Sequence, residues 1–212
     1  MKTSIVYLST AYLAPIQYYA HLYANKYCRI EQYENYQKQT YRNRCIIAAS
    51  DGPLALTVPT ERPQTLKCLT RDIRISDHGK WRHLHWTALE SAYRTSPYFE
   101  YYADDFRPFY EQKYTFLMDF NEALCLLVCK LLDFEPNIQR TDCYQTIFGI
   151  DELDARESIN PKKNFSEDAL FHPTPYYQVF QDKHGFLPNL SIVDLLFNMG
   201  PEGILVLKNS LT

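Results

Sequence analysis

Two arginines stand two residues apart in a segment that is dense in hydrogen-bonding side chains. If a strand begins near Arg42, then Arg42 and Arg44 point to one face, because successive strand side chains alternate between faces. Two guanidinium forks on one face suit a phosphate or a carboxylate, whereas a solvated strand face paired with acidic residues is the alternative. The predicted substrate-binding segment is completed by the polar residues Gln39, Tyr41 and Asn43.

One histidine lies on the apolar face of a predicted helix. His85 follows Trp81 by four residues and precedes Leu89 by four, which is one helical face. Burial lowers the pKa of a histidine and keeps the imidazole neutral, so His85 is a candidate general base. A core histidine with both ring nitrogens hydrogen-bonded is the alternative.

Composition and motifs exclude several classes of function. A net charge of −3 and a pI near 6.1, with no long basic run, argue against nucleic-acid binding. The six glycines form neither a dinucleotide-binding fingerprint nor a P-loop. The chain has no H-E-x-x-H, G-x-S-x-G or C-x-x-C motif, so we expect no metal site and identify no cofactor. The six cysteines are expected to be free thiols.

No apolar segment is long enough for a membrane span. Residues 5–8 are too short for the core of a signal peptide, and the longest apolar run elsewhere is 123–129. We therefore expect a cytoplasmic protein without a membrane span. The 18 tyrosines indicate either a core with half-buried tyrosines or a polar cleft with aromatic walls.

The pattern of apolar residues predicts a single α+β (mixed α/β) domain over residues 1–212. Its sheet comes mostly from the N-terminal third and packs against helices from the middle and C-terminal parts. Ser191 and Asp194 fit a capping box at the start of a short helix that ends before Gly200, whereas Asn198 has no such local explanation and is a further binding candidate. Predicted strands cover 5–8, 27–31, 45–49, 54–58, 71–75 and 204–207, and the main helices cover 81–93, 116–132 and 192–199.

Several motifs together resemble the WbqC-like protein family, which is found in bacterial surface-polysaccharide gene clusters. They are the aromatic segment around Pro15, the sequence Arg42-Asn43-Arg44, the strand Leu56-Thr57-Val58-Pro59, the helix carrying Trp81, His85 and Tyr93, and the segment from Leu190 to Gly200. The extended form of the arginine motif resembles the branch common in Bacteroides-type bacteria. Many members have Gln-Pro where this chain has Thr10-Ala11. The resemblance marks Trp81, Tyr93 and Asp194 as signature positions, and it adds Trp81 and Tyr93 to the substrate-binding candidates.

These observations favour an enzyme that acts on an activated or amino sugar in the synthesis of an O-antigen-like polysaccharide. The expected partner is an anionic small molecule such as a sugar nucleotide, and the expected reaction is group transfer. Arg42 and Arg44 would hold phosphate, Tyr41 and Asn43 would orient hydroxyl groups, and His85 would be the base. A non-catalytic module that recognises an anionic glycan precursor or a partner enzyme is the alternative. Acyl or aminoacyl transfer outside glycan metabolism, in which a free cysteine could act, is a third possibility.

Overall fold

Four short parallel strands form the sheet of the protein, in the order β5-β2-β1-β6. The computed structural model describes residues 4–62 and 67–211. β1 is central, and Ile5 pairs with Tyr27 on one side and with Glu152 on the other. The strands of this sheet are β1 (Ile5–Ser9), β2 (Tyr27–Glu31), β5 (Ile138–Arg140) and β6 (Glu152–Asp154).

A separate antiparallel hairpin consists of β3 (Arg44–Ala49) and β4 (Gly52–Thr57). Ser50 and Asp51 form its tight turn. The hairpin packs against helices rather than extending the parallel sheet, since β3 contacts α2 and α6. The helices are α1 (Ile16–Ala24), α2 (Trp81–Tyr93), α3 (Phe99–Glu111), α4 (Leu117–Leu131), α5 (Gln181–His184), α6 (Ile192–Met199) and α7 (Gly203–Asn209).

Helix α6 lies at the centre of the helical layer. Its residues from Ile192 to Asn198 are all buried, and they include the two polar residues Asp194 and Asn198. It contacts α1, α2, α3, α4 and α7. Gly200 ends the helix at a φ of 58°, a conformation that glycine adopts readily, and a Cβ atom there would lie 2.5 Å from the Tyr98 ring.

The α+β class is confirmed, and several local predictions are corrected. As expected, most strands come from the N-terminal third, because β1 to β4 lie within residues 5–57, and β5 and β6 add two strands from the region after residue 137. Residues 204–207 lie in helix α7 and not in a strand. The predicted strand over 71–75 is instead a 3-10 turn at Thr70–Asp72 followed by isolated bridges. Within the described part of the chain, no helix is long and apolar enough to cross a membrane.

The capping-box interpretation of Ser191 and Asp194 is wrong. Ser191 is the residue before α6, but its hydroxyl donates to the carbonyl oxygen of Leu13 at 2.6 Å and makes no cap. The Asp194 carboxylate accepts hydrogen bonds from the hydroxyls of Tyr93 and Tyr176 instead, at 2.8 and 2.6 Å. The Ser191 and Asp194 side chains therefore form hydrogen bonds with residues that are distant in the sequence, and not with the backbone at the start of α6.

Candidate active site at the carboxyl edge of the parallel sheet

The strand order reverses direction at β1, because β2 lies on one side of it and β6 on the other. In open parallel sheets, ligands bind outside the carboxyl ends of the strands at such a switch point. This edge of the sheet carries Ser9 at the end of β1, Glu31 at the end of β2 and Asp154 at the end of β6. All three are polar and all three take part in networks of charged side chains.

The first network surrounds Arg42, which is only 2% exposed. Its guanidinium donates from Nε and Nη2 to the two carboxylate oxygens of Glu34, at 2.7 and 2.6 Å. Nη2 also donates to Ser9 Oγ at 2.9 Å and lies 3.1 Å from the part-exposed Glu157 carboxylate. Burial acts to lower the pKa of Arg42, but the hydrogen bonds and charge of Glu34 outweigh it and raise that pKa.

The second network surrounds Arg156, two residues beyond β6. It donates from Nη1 to Glu31 Oε2 at 2.9 Å and from Nε to Asp154 Oδ1 at 2.7 Å. Glu31 is fully buried and also accepts from the hydroxyl of Thr141 at 2.9 Å. The hydrogen bond with Asp154 raises the pKa of Arg156, and the same contact lowers the pKa of the Asp154 carboxyl against the effect of burial.

The two networks meet at a small cavity, which we call the sheet-edge cleft. Ser9 bridges them, because its hydroxyl lies 3.0 Å from Glu34 Oε2 and 3.3 Å from the carbonyl oxygen of Arg156. The cleft encloses about 240 Å³ of space including its mouth, but its closed interior has room for about one water molecule. It is lined by Leu8, Ser9, Thr10, Ala11, Tyr18, Tyr41, Arg42, Ala155, Arg156 and Ile159.

Hydrogen-bond acceptors exceed cations at this edge. Two guanidinium groups face four carboxylates, those of Glu31, Glu34, Asp154 and Glu157. Since the arginine donors are already bonded to these carboxylates, the edge has more capacity for a ligand that donates hydrogen bonds than for a phosphate. Hydroxyl and amino groups of a sugar are such donors.

A second cavity, which we call the side lobe, shares a wall with the sheet-edge cleft. The shared wall consists of Thr10, Ala11 and Tyr18. The side lobe extends towards α4 and has about 300 Å³ of space including its mouth. Its remaining lining residues are Ile30, Met118, Asn121, Glu122, Cys125 and Ile138.

The expectation that Arg42 and Arg44 share one strand face is wrong. β3 begins at Arg44, and Arg42 lies in the preceding turn with its side chain inside the protein. Arg44 is part-exposed, and its Nε donates to Thr57 Oγ1 at 3.2 Å. Arg42 therefore holds the buried carboxylate of Glu34 in place. The side chain of Arg44 is oriented by its hydrogen bond to Thr57 on the neighbouring strand β4.

The other residues of the predicted binding segment occupy different environments. Gln39 is exposed and has a φ of 60°. Tyr41 is half-buried and lines the sheet-edge cleft, and burial raises the pKa of its hydroxyl to about 12. Asn43 is buried and donates to the carbonyl oxygen of Val58 at 2.9 Å, so it joins the turn to the hairpin. Of these three residues, only Tyr41 is among those that line the cleft.

His85 belongs to a buried hydrogen-bonded chain in the core. Its Nδ1 lies 2.9 Å from the Tyr12 hydroxyl, which in turn lies 2.9 Å from the Tyr110 hydroxyl. The backbone of Thr57 favours the protonated ring and so acts to raise the pKa of His85, but the effect of burial is larger. Burial lowers the pKa of His85 to about 4. His85 is not among the residues that line the sheet-edge cleft or the side lobe.

Trp81 packs against this chain from the start of α2. Its ring meets the His85 ring edge-on at 5.1 Å, and its Nε1 donates to the carbonyl oxygen of Ser76 at 2.9 Å. The one polar group of the tryptophan side chain therefore has its hydrogen bond inside the protein. A role in ligand binding stays a prediction for Trp81 and for His85.

Tyr93 and Asn198 belong to a third buried group, which is centred on Asp194. This carboxylate is 0% exposed and accepts from Tyr93, Tyr176 and Gln178. Burial raises the pKa of Asp194 even though these donors favour its charged form. Asn198 donates from Nδ2 to the Asp194 carbonyl oxygen at 2.7 Å and accepts at Oδ1 from the Val179 backbone. The group joins α2, α6 and the segment before α5.

Sequence reasoning missed the acidic half of the candidate site. Glu31 is the last residue of strand β2, and Glu34 follows three residues later. Two glutamates this close to a strand end could have been noticed in the sequence. Arg156 lies in a polar stretch in which nothing marks it apart from its neighbours. Asn121 lies on the buried face of α4, and a single amide among apolar residues at helical spacing could have been noticed.

These observations define an α+β protein with a buried network of ion pairs at the switch point of a parallel sheet. The chain belongs to the WbqC-like protein family, whose model matches residues 10–205. The resemblance to this family is thereby confirmed, and the assignment to a Bacteroides-type branch stays a prediction.

A curated protein of Mycobacterium tuberculosis, named uncharacterized protein Rv1507c, is 28% identical over 188 residues. The similar region covers 79% of this chain and 81% of that protein. No solved structure matches.

Proposed function

We propose that the protein binds an activated amino sugar, free or N-acylated, at the sheet-edge cleft and transfers a group to it during surface-polysaccharide synthesis. The observation that carries this proposal is the excess of carboxylates over guanidinium groups at the switch point of the sheet. Buried ion pairs contribute little to stability compared with apolar packing, so their concentration at one cleft favours a functional role. The resemblance to a family of polysaccharide gene clusters supports the biological setting.

The residues have distinct roles in this proposal. Arg42 and Arg156 hold Glu34, Glu31 and Asp154 in place, and the part-exposed Glu157 accepts a hydrogen bond from the sugar. The sugar ring lies at the mouth of the cleft, because the interior has room for only a substituent. Tyr41 provides an aromatic wall, as sugar sites often do. Arg44 is part-exposed but is not among the residues that line the cleft, so this proposal gives it no contact with the sugar.

A calorimetric titration with UDP-glucosamine and UDP-glucose tests the binding step. Glu157→Gln should weaken the binding of UDP-glucosamine about tenfold, since a hydrogen bond to a charged group contributes roughly 1.5–3 kcal/mol. Glu61→Gln is the matched control, because Glu61 is also about half exposed and paired with an arginine, Arg74, at 3.5 Å. Equal losses in the two variants, or no binding by the wild type, would refute the proposal.

Turnover separates group transfer from the alternative of a binding module. The protein is incubated with UDP-glucosamine and an acyl-coenzyme A, and the products are followed by mass spectrometry. His85→Gln should abolish transfer without changing affinity if His85 is the base, acting through the Tyr12 hydroxyl that it contacts. The buried position of His85 favours the binding module, in which the wild type binds the sugar nucleotide and produces nothing. Loss of activity on cysteine alkylation would instead indicate acyl transfer through a thiol.

A further inference from the structure

Asn121 on the wall of the side lobe has an unpaired acceptor. The side chain is 1% exposed, and its Nδ2 donates to the carbonyl oxygen of Arg42 at 2.8 Å and to Thr10 Oγ1 at 3.1 Å. A carbonyl oxygen can only accept, so the contact with Arg42 fixes which end of the amide is nitrogen. Oδ1 is then left buried without a partner in the described structure. A buried acceptor without a donor is costly, so this atom favours a ligand or a water that donates to it.

Thr10 supplies the complementary donor beside it. Its hydroxyl oxygen accepts from Asn121 Nδ2, so the hydroxyl proton points elsewhere. Among the residues that the structure describes, no acceptor is hydrogen-bonded to that proton. Thr10 is 3% exposed and lines the side lobe together with Asn121. The buried acceptor matches the N–H of a secondary amide, and the adjacent hydroxyl is a donor for a further polar atom in the lobe.

The rest of the side lobe is apolar. Ile30, Met118, Cys125 and Ile138 provide carbon and sulfur surface. The one carboxylate on its wall, Glu122, is neutralised by an ion pair with Arg140. The closed interior holds only about two water-sized groups. A neutral, short group with one donor and one acceptor fits these walls better than an ammonium group does.

We propose that the side lobe binds the acylamino substituent of the sugar, with its N–H donating to Asn121 Oδ1. Its methyl group packs against Cys125 and Ile138. This inference rests on the proposed function, and it narrows the substrate class to an N-acylated amino sugar. The side lobe is then the part of the site that distinguishes acetamido from amino and hydroxyl substituents.

Isothermal titration calorimetry with three sugar nucleotides tests whether the protein prefers an N-acylated amino sugar. Wild type should bind UDP-N-acetylglucosamine at least tenfold more tightly than UDP-glucosamine or UDP-glucose. Cys125→Leu, which fills the lobe, should abolish this preference and leave the affinity for UDP-glucose unchanged. Cys143→Leu makes the same substitution at an exposed cysteine and should leave all three affinities unchanged. Thermal melting of each variant verifies folding, and equal affinity of wild type for the three sugars would overturn the proposal.

A second measurement does not depend on the sugar nucleotide. N-methylacetamide is titrated into ¹⁵N-labelled protein, and the side-chain amide resonance of Asn121 is followed by NMR. A saturable shift that Cys125→Leu abolishes supports the side lobe as an amide site, even if no sugar nucleotide binds and the proposed function fails. No shift of this resonance at saturating amide would mean that the lobe holds a structural water only, and would overturn the inference while leaving the proposed function intact.

Discussion

Lowering the pH from 7 to 4.5 should destabilise the protein through His85. Burial lowers the pKa of this histidine to about 4, compared with about 6.5 in an unfolded chain. Because the folded pKa is the lower one, the unfolded chain takes up the proton first. The contribution of His85 to stability is therefore complete above pH 6.5 and is lost as the pH falls towards 4. A difference of about 2.5 units corresponds to about 3 kcal/mol in full, of which about 2 kcal/mol is lost by pH 4.5.

The structure gives the physical reason for this shift. Burial removes the ring from water and so disfavours its charged form, and the contact with the Thr57 backbone, which acts to raise the pKa, offsets only part of this effect. Asp168, whose pKa is lowered to about 2 by His21 and Gln17 against the effect of burial, loses its contribution only below about pH 4. Between pH 7 and 4.5, His85 therefore loses most of its contribution to stability, whereas Asp168 keeps most of its own.

Urea denaturation at several pH values in this window measures the effect. The unfolding free energy of wild type should fall by about 2 kcal/mol more than that of His85→Gln, whatever the absolute stability of the variant. His83→Gln is the control, because His83 is exposed on the same helix and should keep the wild-type dependence. An unchanged pH dependence in His85→Gln would show that His85 is not the buried neutral group inferred here.

Two further substitutions test the packing of the site and of the helical layer. Arg42→Met should lower the free energy of unfolding by about 3–5 kcal/mol, because it leaves the Glu34 carboxylate buried and unpaired. Adding Glu34→Leu should recover part of this loss, as measured by urea titration. A double variant no more stable than the single one would contradict the buried-charge explanation. Gly200→Ala should lower the melting temperature by several degrees, since its φ of 58° costs roughly 1–2 kcal/mol for a residue with a Cβ and that atom would meet the Tyr98 ring. Gly149→Ala, where the nearest atom lies 3.5 Å away, should melt close to wild type, and an equal fall at both positions would argue against the clash.

Helices with a sustained apolar period could be predicted from the sequence to within one residue. The spacing of apolar residues predicts 81–93 for α2, which are the observed bounds, and 116–132 for α4, which spans Leu117–Leu131. The bounds 192–199 of α6 rest on the capping pattern and on Gly200, and they are right although the capping box itself is wrong. Shorter elements carry less information. The four apolar residues at 204–207 fit a buried strand or a buried helix equally well, and β6 is only three residues long.

The candidate site could be predicted only in part, because its partners are distant in the sequence. Arg42 was recognised as important, but the sequence could not show that Ser9, 33 residues earlier, and Glu34 would bury it. The spacing alone therefore predicts a strand face for Arg42. His85 is buried, as the sequence predicts, and burial lowers its pKa. Its role as a base stays a prediction. What the sequence could not show is that its neighbours are tyrosines of the core and not the cleft.

The central position of β1 affects how the protein can be synthesised. About 140 residues separate β1 from β6, its partner on one side. At ordinary translation rates the ribosome needs roughly 7–30 seconds to make that stretch. During this time the emerging Ile-Val-Tyr-Leu-Ser strand can pair with β2 on one edge, while the other edge stays open to any neighbouring chain. The nascent protein should therefore depend on chaperones until residue 154 has left the ribosome.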